Sequence, residues 1–378
     1  MNFTNLPYRY KVAGGAIFLV STFLLVRSYI DTRHVMRLEE SIVLNPPKPI
    51  YPGKTWVEKS PEALGLNPLK LQEFKREVGP GSFGCVARNG YLADRWGSQL
   101  LKTFGPARIR GWGSASKPYI ASLLFFSEAG LNSKIEKWSW DLKREDKEIT
   151  LGNLVNMTSG YGLAEGPGNA FAYNDYAVSL LFRTVIEKMF GTPVDDPGAV
   201  ESLYQEPELF GALNFESENL FITRHGLPRL AKSTCDMVRF GLLLGRGGQW
   251  KNEQIISQDL IAKYLQPSVE VSMPVTRAAA GEDYLGVGTS GAGWNETSIG
   301  PGVYGFFLWF NTDGQLWPDV PHDAFQANGH WNRQSLTVIP SLDLVVAWRE
   351  SEWLASNSED FPMVMNNALK LLIGAVEK

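Results

Sequence analysis

Cysteine is nearly absent from this chain, which has only Cys85 and Cys235 among 378 residues. Two cysteines exclude a disulfide scaffold, a four-cysteine zinc site and an iron–sulfur cluster. They could form one disulfide, but we favour two buried free thiols, so cysteine usage does not identify the cellular compartment. A large excess of either charge is also absent, because 36 basic and 40 acidic side chains give a formal net charge of −4. This balance provides no electrostatic reason to expect a nucleic-acid partner.

Several common catalytic motifs are missing as well. The four histidines form no metal-ligand pattern, and the chain has neither a Gly-x-Ser-x-Gly nucleophile elbow nor a phosphate-binding loop. Two Gly-x-Gly-x-x-Gly matches begin at Gly79 and Gly286, but neither lies between a strand and a helix, so both are interpreted as loops. We therefore expect no metal and no organic cofactor.

An uncharged segment near the N-terminus predicts a membrane anchor. Val12–Val26 contains no charged residue, and extension to Ile30 adds only Arg27, giving a length sufficient for one transmembrane helix. A cleaved signal peptide is the main alternative, although no small-x-small cleavage site follows the apolar run. The flanking charges leave the orientation open. A Pro-rich tether is expected over 31–60, followed by a catalytic domain over 61–378.

Local patterns in that domain predict strands near both chain ends and helices between them. The predicted elements are a helix from Pro68 capped by Asn67, strands at Phe83–Arg88 and Tyr91–Trp96, a mostly helical region over about 114–265, strands within Tyr304–Trp348, and a helix over Pro362–Val376. The simplest fold is α+β, with one antiparallel sheet built from both chain ends, flanked by helices and carrying an inserted helical region. An active site is expected in the cleft between the two parts.

One pair of residues indicates nucleophilic catalysis. Ser114 and Lys117 stand at positions i and i+3, on one face of a predicted helix that starts around Pro118. A lysine beside a serine hydroxyl can accept its proton only when the amine is uncharged, and burial favours that form. The tetrapeptide alone is a weak signal, because Ser-x-x-Lys occurs by chance in most chains of this length.

The motifs that follow make the pattern more specific. Ser-x-x-Lys is followed by Ile149-Thr150-Leu151 and Thr158-Ser159-Gly160, then by Tyr173-Asn174-Asp175, and near the C-terminus by a segment around His330. This order resembles the β-lactamase-like (penicillin-binding-protein-like) serine hydrolases, including class C β-lactamases, related esterases and 6-aminohexanoate-dimer hydrolases. The resemblance extends from about Pro61 to Ala375. It implies the α/β sandwich of that superfamily and a hydrolase that needs no cofactor.

The resemblance assigns roles to individual residues. It implies that Ser114 is the nucleophile, Lys117 its partner in proton transfer, and Tyr173 a phenol that passes the proton to and from the leaving group. Asp175 stands where the family has asparagine, so an acid beside Lys117 would favour the ammonium form; either Asn174 could substitute, or Tyr173 could act as the base.

The C-terminal motif supplies the remaining substrate-binding candidates. His330 corresponds to the first residue of the family's Lys-Thr-Gly or His-x-Gly strand and would provide a polar or cationic edge. Asn332 stands at the glycine of that motif, where its side chain and that of Trp331 would crowd the substrate edge. The backbone N–H groups of Ser114 and of a residue near Arg333 would form the oxyanion hole.

These observations predict a membrane-anchored serine hydrolase that acts through an acyl-enzyme on a small ester or amide. The alternative is a catalytically idle family member that serves as a scaffold or subunit of a membrane complex, and a third interpretation is a polysaccharide- or peptide-binding module. The expected location is a membrane with the domain on the periplasmic or extracytoplasmic side; the mitochondrial inner membrane is the alternative.

Overall fold

The computed structural model describes residues 47–97, 111–217, 221–277, 281–289, 299–351 and 360–377. The anchor expected over 12–30 lies outside these residues. In the part of the chain that is described, no helix has the length and apolar character that a membrane span requires.

Seven strands form one antiparallel sheet that uses both ends of the domain. Its strands are β1 (Phe83–Arg88), β2 (Tyr91–Trp96), β7 (Tyr304–Gly305), β8 (Leu308–Phe310), β9 (Phe325–Gly329), β10 (Gln334–Ile339) and β11 (Leu344–Arg349), in the order β2-β1-β11-β10-β9-β8-β7. β1 pairs with β11 in a register that sets Cys85 opposite Ala347. The predicted α+β sheet from both chain ends is therefore confirmed.

Helices and two small hairpins complete the domain. The helices are α1 (Pro68–Val78), α2 (Lys117–Ala121), α3 (Leu151–Val155), α4 (Asp175–Phe182), α5 (Pro197–Tyr204), α6 (Thr234–Gly245), α7 (Gln258–Tyr264) and α8 (Phe361–Ala375). The hairpins pair β3 (Phe221–Arg224) with β4 (Leu227–Leu230) and β5 (Gln249–Trp250) with β6 (Glu253–Gln254). The inserted region is thus less purely helical than expected, since β3 to β6 all lie within it.

Helices cover both faces of the sheet, because the side chains that β11 directs to each face are buried. Val345 and Trp348 are three residues apart, so their side chains project from opposite faces. A methyl group added to Gly241 of α6 would lie 2.6 Å from Val345 Cγ1, so α6 packs closely on one face. On the other face, the ring of Phe74 in α1 meets the Trp348 ring edge-on at 5.8 Å.

The local signals at the start of the domain formed the expected structures. The Asn67 side chain accepts hydrogen bonds from the N–H groups of Leu69 and Lys70, and this cap begins α1. Asn89 and Gly90 both have positive φ, 53° and 78°, which is the conformation that a two-residue type I′ hairpin needs.

The interpretation of Cys85 and Cys235 as free thiols is wrong. The two residues form a disulfide that joins β1 to the first turn of α6 across 150 residues of sequence. The residues were brought together by the packing of α6 on the sheet, a long-range contact that cysteine counting cannot detect. The bond closes one loop that contains the inserted region up to the start of α6.

The tether expected over 31–60 differs from the structure in the part that is described. The Ile50 N–H donates to the Asn89 carbonyl, and Arg246 donates to the Ile50 carbonyl at 2.6 Å. Trp56 is 6% exposed, and the guanidinium of Arg239 lies over its ring. Residues 47–60 are therefore part of the folded domain, because their aromatic side chains and carbonyl groups find partners on its surface.

Candidate active site

Ser114 lies in a tight turn whose shape is fixed by its neighbours. Gly113–Ser116 forms one 3₁₀ turn that leads directly into α2, and the Ser116 hydroxyl closes it by donating to the Gly113 carbonyl. The preceding Trp112 is fully buried, and it donates from its N–H to Leu230 and from its indole to the Lys232 carbonyl, both at 2.9 Å. These bonds connect the turn to β4 and hold Ser114 at the edge of the inserted region.

The Lys117 ammonium is the centre of the site. Its Nζ lies 2.7 Å from Ser114 Oγ, 2.9 Å from the Tyr173 hydroxyl and 2.9 Å from an oxygen of Asp175. An ammonium group has three hydrogens to donate, so these three acceptors satisfy it completely. Lys117 is 5% exposed, and water has little access to compete for these bonds.

The charge on Lys117 is set by two opposing effects. Burial is the larger single effect and lowers the pKa of Lys117, but Asp175 and Tyr173 oppose it by charge and by hydrogen bonding, and together they leave the pKa raised. Lys117 therefore carries its proton at neutral pH. The sequence suggested that an acid in place of the family's asparagine would have this effect, and the 2.9 Å contact with Asp175 provides the cause.

Asn174 does not substitute for the missing asparagine. Its Oδ1 accepts hydrogen bonds from the N–H groups of Tyr176 and Ala177, which makes it the N-cap of α4. Its amide nitrogen donates to the Tyr161 carbonyl at 2.8 Å. Both ends of the side chain are therefore engaged, one in capping α4 and the other in binding the Tyr161 carbonyl.

His330 follows the end of β9 and lies against the Gly113–Ser116 turn, which we name the nucleophile turn after the predicted role of Ser114. Its φ of 46° is left-handed, so the residue belongs to the loop after β9 rather than to a strand as the family motif implies. Gly113 also has a positive φ, 53°, and a methyl group there would lie 2.6 Å from His330 Nδ1. Only glycine gives His330 this close approach to the residue before Ser114.

His330 is an uncharged hydrogen-bonding group in this position. Burial lowers the pKa of His330; a hydrogen bond with Gln334 opposes this, while Arg229, Lys117 and Arg333 lower the pKa further. Nδ1 lies 3.0 Å from Gln334 Oε1, and since a carbonyl oxygen only accepts, the assigned amide orientation puts the proton on Nδ1. This leaves the lone pair on Nε2.

The expectation that Asn332 crowds the substrate edge is wrong. Asn332 is fully buried; its amide donates to the Phe361 carbonyl, and its Oδ1 accepts from Asn328. Trp331 packs its ring at 5.5 Å from that of Phe361. Three consecutive left-handed residues, 330 to 332, form the loop and turn these side chains toward α8.

Arg333 is also engaged away from the nucleophile. Its guanidinium forms an ion pair with Glu350 at 2.8 Å, and its N–H donates to the His330 carbonyl. β9 approaches the nucleophile turn at Gly329 instead, where a methyl group would lie 2.7 Å from the Trp112 carbonyl and 3.1 Å from the Ala115 nitrogen. We therefore expect the second oxyanion-hole donor to be a backbone N–H at residues 329–330 rather than one near Arg333.

Sequence reasoning missed three residues that shape the site. Gly113 and Gln334 carry a detectable signal, since one directly precedes the nucleophile and the other stands four residues after His330. Tyr304 in β7 is 1% exposed and stands with its ring 6.2 Å from that of Tyr173. Nothing in the local sequence distinguishes Tyr304 from other strand aromatics, because β7 reaches Tyr173 only through the tertiary fold.

Comparisons with known proteins identify a family match and a shared fold. The Beta-lactamase family model matches residues 80–197, which contain Ser114, Lys117 and Tyr173. No curated protein matches the sequence. A candidate 6-aminohexanoate-dimer hydrolase from Bacillus anthracis has a similar structure, with a TM-score of 0.56, 16% identity, and coverage of 88% of this chain and 90% of that one.

Two further solved structures are similar to this one. A penicillin-binding-protein homologue from Caulobacter crescentus has a TM-score of 0.53 and 11% identity, over 82% of this chain and 99% of that chain. A β-lactamase from Mycobacterium bovis has a TM-score of 0.51 and 14% identity, over 81% and 99% of the two chains. At these identities the structures establish the shared fold.

The chain forms a seven-stranded sheet from both ends of the domain, and its Ser-x-x-Lys turn lies beside β9. The family match over residues 80–197 and the fold shared with the solved structures support the predicted resemblance to the β-lactamase/penicillin-binding-protein-like superfamily and its serine hydrolases. The predicted recognition and the prediction of an enzyme are thereby confirmed.

Proposed function

We propose that this protein hydrolyses small esters or amides through an acyl-enzyme on Ser114. The observation that carries the proposal is the position of the Lys117 ammonium, which donates to both Ser114 Oγ and the Tyr173 hydroxyl within 3 Å. The three groups are held by separate elements, the nucleophile turn, α2 and the segment before α4. Their convergence at one buried point is the arrangement that nucleophilic catalysis requires.

Tyr173 is the base in this proposal. Lys117 is fully engaged as a donor and its pKa is raised, so it has no lone pair to accept the Ser114 proton. As a cation, it instead stabilises negative charge on the Tyr173 oxygen and orients Ser114 Oγ. Asp175 keeps Lys117 in this role by holding the ammonium from its remaining side.

The reaction then proceeds in two balanced steps. Tyr173 begins the cycle as the phenolate. Ser114 Oγ attacks the carbonyl carbon and passes its proton to the Tyr173 oxygen, and the tetrahedral intermediate expels the alcohol or amine, which takes that proton and leaves the phenolate again. Water next attacks the acyl-enzyme and gives a proton to Tyr173, which returns it to Ser114 Oγ as the acid leaves. The N–H of Ser114 and a donor at residues 329–330 stabilise the oxyanion.

Asp175 also favours simple esters over β-lactams as substrates. A carboxylate cannot donate a hydrogen bond, so Asp175 lacks the amide donor that would hold a substrate carbonyl at this position. Asn332 does not contribute to this preference, because its side chain is buried away from the substrate edge. The preference therefore rests on Asp175, and kcat/KM for p-nitrophenyl butyrate should exceed that for a chromogenic cephalosporin.

A covalent probe tests the proposal directly. Purified protein is incubated with a fluorophosphonate, and the labelled peptide is identified by mass spectrometry. We expect stoichiometric labelling of Ser114 together with turnover of p-nitrophenyl butyrate. An unlabelled Ser114 in folded protein, with no turnover of esters, amides or β-lactams, would instead indicate the idle scaffold.

We further propose that the domain lies on the extracytoplasmic side of a membrane. The apolar segment at 12–30 supports the anchor, and the Cys85–Cys235 disulfide supports an oxidising compartment. Full-length protein should sediment with membranes, and intact-mass analysis should find residues 12–30 retained. A mature N-terminus between residues 25 and 35 would instead identify a cleaved signal peptide.

A further inference from the structure

Tyr304 is a buried tyrosine whose ring lies beside that of Tyr173. The two rings meet nearly perpendicular, at 67° and 6.2 Å between centroids. Tyr304 is held rigidly, because its ring also packs edge-on against Trp309 at 4.7 Å and against Phe171 at 5.5 Å. It belongs to β7, the edge strand of the main sheet, whereas Tyr173 belongs to the inserted region.

The protonation state of Tyr304 makes it a donor. Burial raises the pKa of Tyr304 well above its usual value, and the charges of Tyr173 and Asp175 and a hydrogen bond with Tyr173 raise it further. Tyr304 therefore keeps its proton throughout the range in which an enzyme works. A phenol that cannot ionise can stabilise a neighbouring oxygen only by donating to it.

We propose that Tyr304 is a positioning residue that donates the second hydrogen bond to the Tyr173 oxygen. The first donor is the Lys117 ammonium at 2.9 Å. Two donors directed at one oxygen stabilise negative charge on it, and this is the form that Tyr173 needs when it accepts the Ser114 proton. This inference rests on the proposed function, since it concerns the base of the same reaction.

The arrangement also connects the two parts of the domain through the site. Lys117 and Tyr173 belong to the inserted region, and Tyr304 belongs to the sheet. The Tyr173 oxygen therefore has its full set of donors only when the sheet and the insert are packed together.

The substitution Tyr304→Phe tests the role, because it removes the hydroxyl and keeps the ring packed on Trp309 and Phe171. We expect kcat/KM for p-nitrophenyl butyrate to fall by about 10- to 100-fold, the range for loss of one hydrogen bond to a charged group. The acidic limb of the pH–rate profile should move to higher pH, because charge on the Tyr173 oxygen has lost a donor. Tyr264→Phe is the matched control, since Tyr264 is also buried and stacked on two phenylalanines, and it should leave both quantities unchanged.

A double-mutant cycle separates positioning from packing. In a Tyr173→Phe background, adding Tyr304→Phe should cause no further loss, because the oxygen on which it acts is gone. An unchanged kcat/KM and pH profile for Tyr304→Phe, or an undiminished further loss in the Tyr173→Phe background, would overturn the inference. Ser114→Ala is measured in parallel: if it keeps wild-type turnover, the proposed function itself fails, whereas an inactive Ser114→Ala beside a fully active Tyr304→Phe removes only the role of Tyr304.

Discussion

Lys117 and Asp175 form a buried ion pair, with 2.9 Å between Nζ and Oδ1. The pair opposes the lowering of the Lys117 pKa that burial alone would cause, and in the proposed mechanism it determines which residue acts as the base. In a site with an uncharged lysine, Lys117 would accept the Ser114 proton. In the proposed mechanism, Asp175 keeps Lys117 charged, so Tyr173 accepts that proton and Lys117 acts through its charge.

The pair makes Asp175→Asn informative. Without the carboxylate, burial dominates and lowers the pKa of Lys117 relative to the wild type. If the charged ammonium is required, the alkaline limb of the pH–rate profile for p-nitrophenyl butyrate moves to lower pH. The opposite result, faster turnover at neutral pH, would show that uncharged Lys117 is the base. Asp259→Asn, on the exposed face of α7, is the control and should change neither limb.

Gly113→Ala should inactivate the enzyme while leaving it folded. A methyl group at a φ of 53° is strained, and it would lie 2.6 Å from His330 Nδ1, so either the turn or His330 must move. A displacement of about 1 Å at a nucleophile costs about 10²-fold in rate. Gly374→Ala in α8 is the control, because nothing lies near the added methyl and the helix should gain about 0.5–1 kcal/mol. Wild-type kcat/KM for Gly113→Ala would show that the close approach of His330 is irrelevant.

Lys232→Met should stabilise the protein. Lys232 is fully buried, its Nζ has no hydrogen-bond partner, and burial lowers its pKa well below 10.5. Because the pKa of Lys232 is lower in the native protein than in the unfolded chain, Lys232 costs stability at neutral pH, and the cost diminishes as the pH rises toward 10.5. The free energy of unfolding at pH 7 should rise by about 1–3 kcal/mol, measured by urea denaturation.

Two comparisons test that explanation. The gain from Lys232→Met should be smaller at pH 10.5 than at pH 7, and exposed Lys70→Met should give no comparable gain at either pH. A loss of stability at pH 7 would mean that the amine has a favourable interaction, such as that with the Phe215 ring below it.

The disulfide should contribute strongly to stability. Cys85–Cys235 closes a loop of 150 residues, and removal of such a bond typically costs about 2–5 kcal/mol. A reducing agent should lower Tm of the wild type and leave Tm of the Cys85→Ala/Cys235→Ala variant unchanged. Two titratable thiols in the native, unreduced protein would contradict the pairing.

The sequence predicted the features that depend on local chemistry. The hairpin at Asn89-Gly90 and the cap at Asn67 require only neighbouring residues, and both formed as expected. The order of motifs also predicted that Ser114, Lys117 and Tyr173 lie together, as they do in the structure. Their catalytic roles remain predictions.

The features that were missed depend on contacts between distant segments. The disulfide forms because α6 packs on β1, and Tyr304 reaches Tyr173 because the last third of the chain returns to the sheet. The family resemblance implies a strand that begins at His330. In the structure, residues 330 to 332 have a left-handed conformation, which turns the Asn332 side chain into the core. A single sequence contains no local signal for such a loop.

The most direct test of the account is the kinetic comparison of Ser114→Ala with Ser116→Ala. Ser116 is two residues further along the same turn, and its hydroxyl only closes that turn through the Gly113 carbonyl. With p-nitrophenyl butyrate as substrate, Ser114→Ala should lower kcat/KM by about 10³-fold or more and abolish fluorophosphonate labelling, while Ser116→Ala keeps most of both. Wild-type turnover and labelling in folded Ser114→Ala would contradict the account.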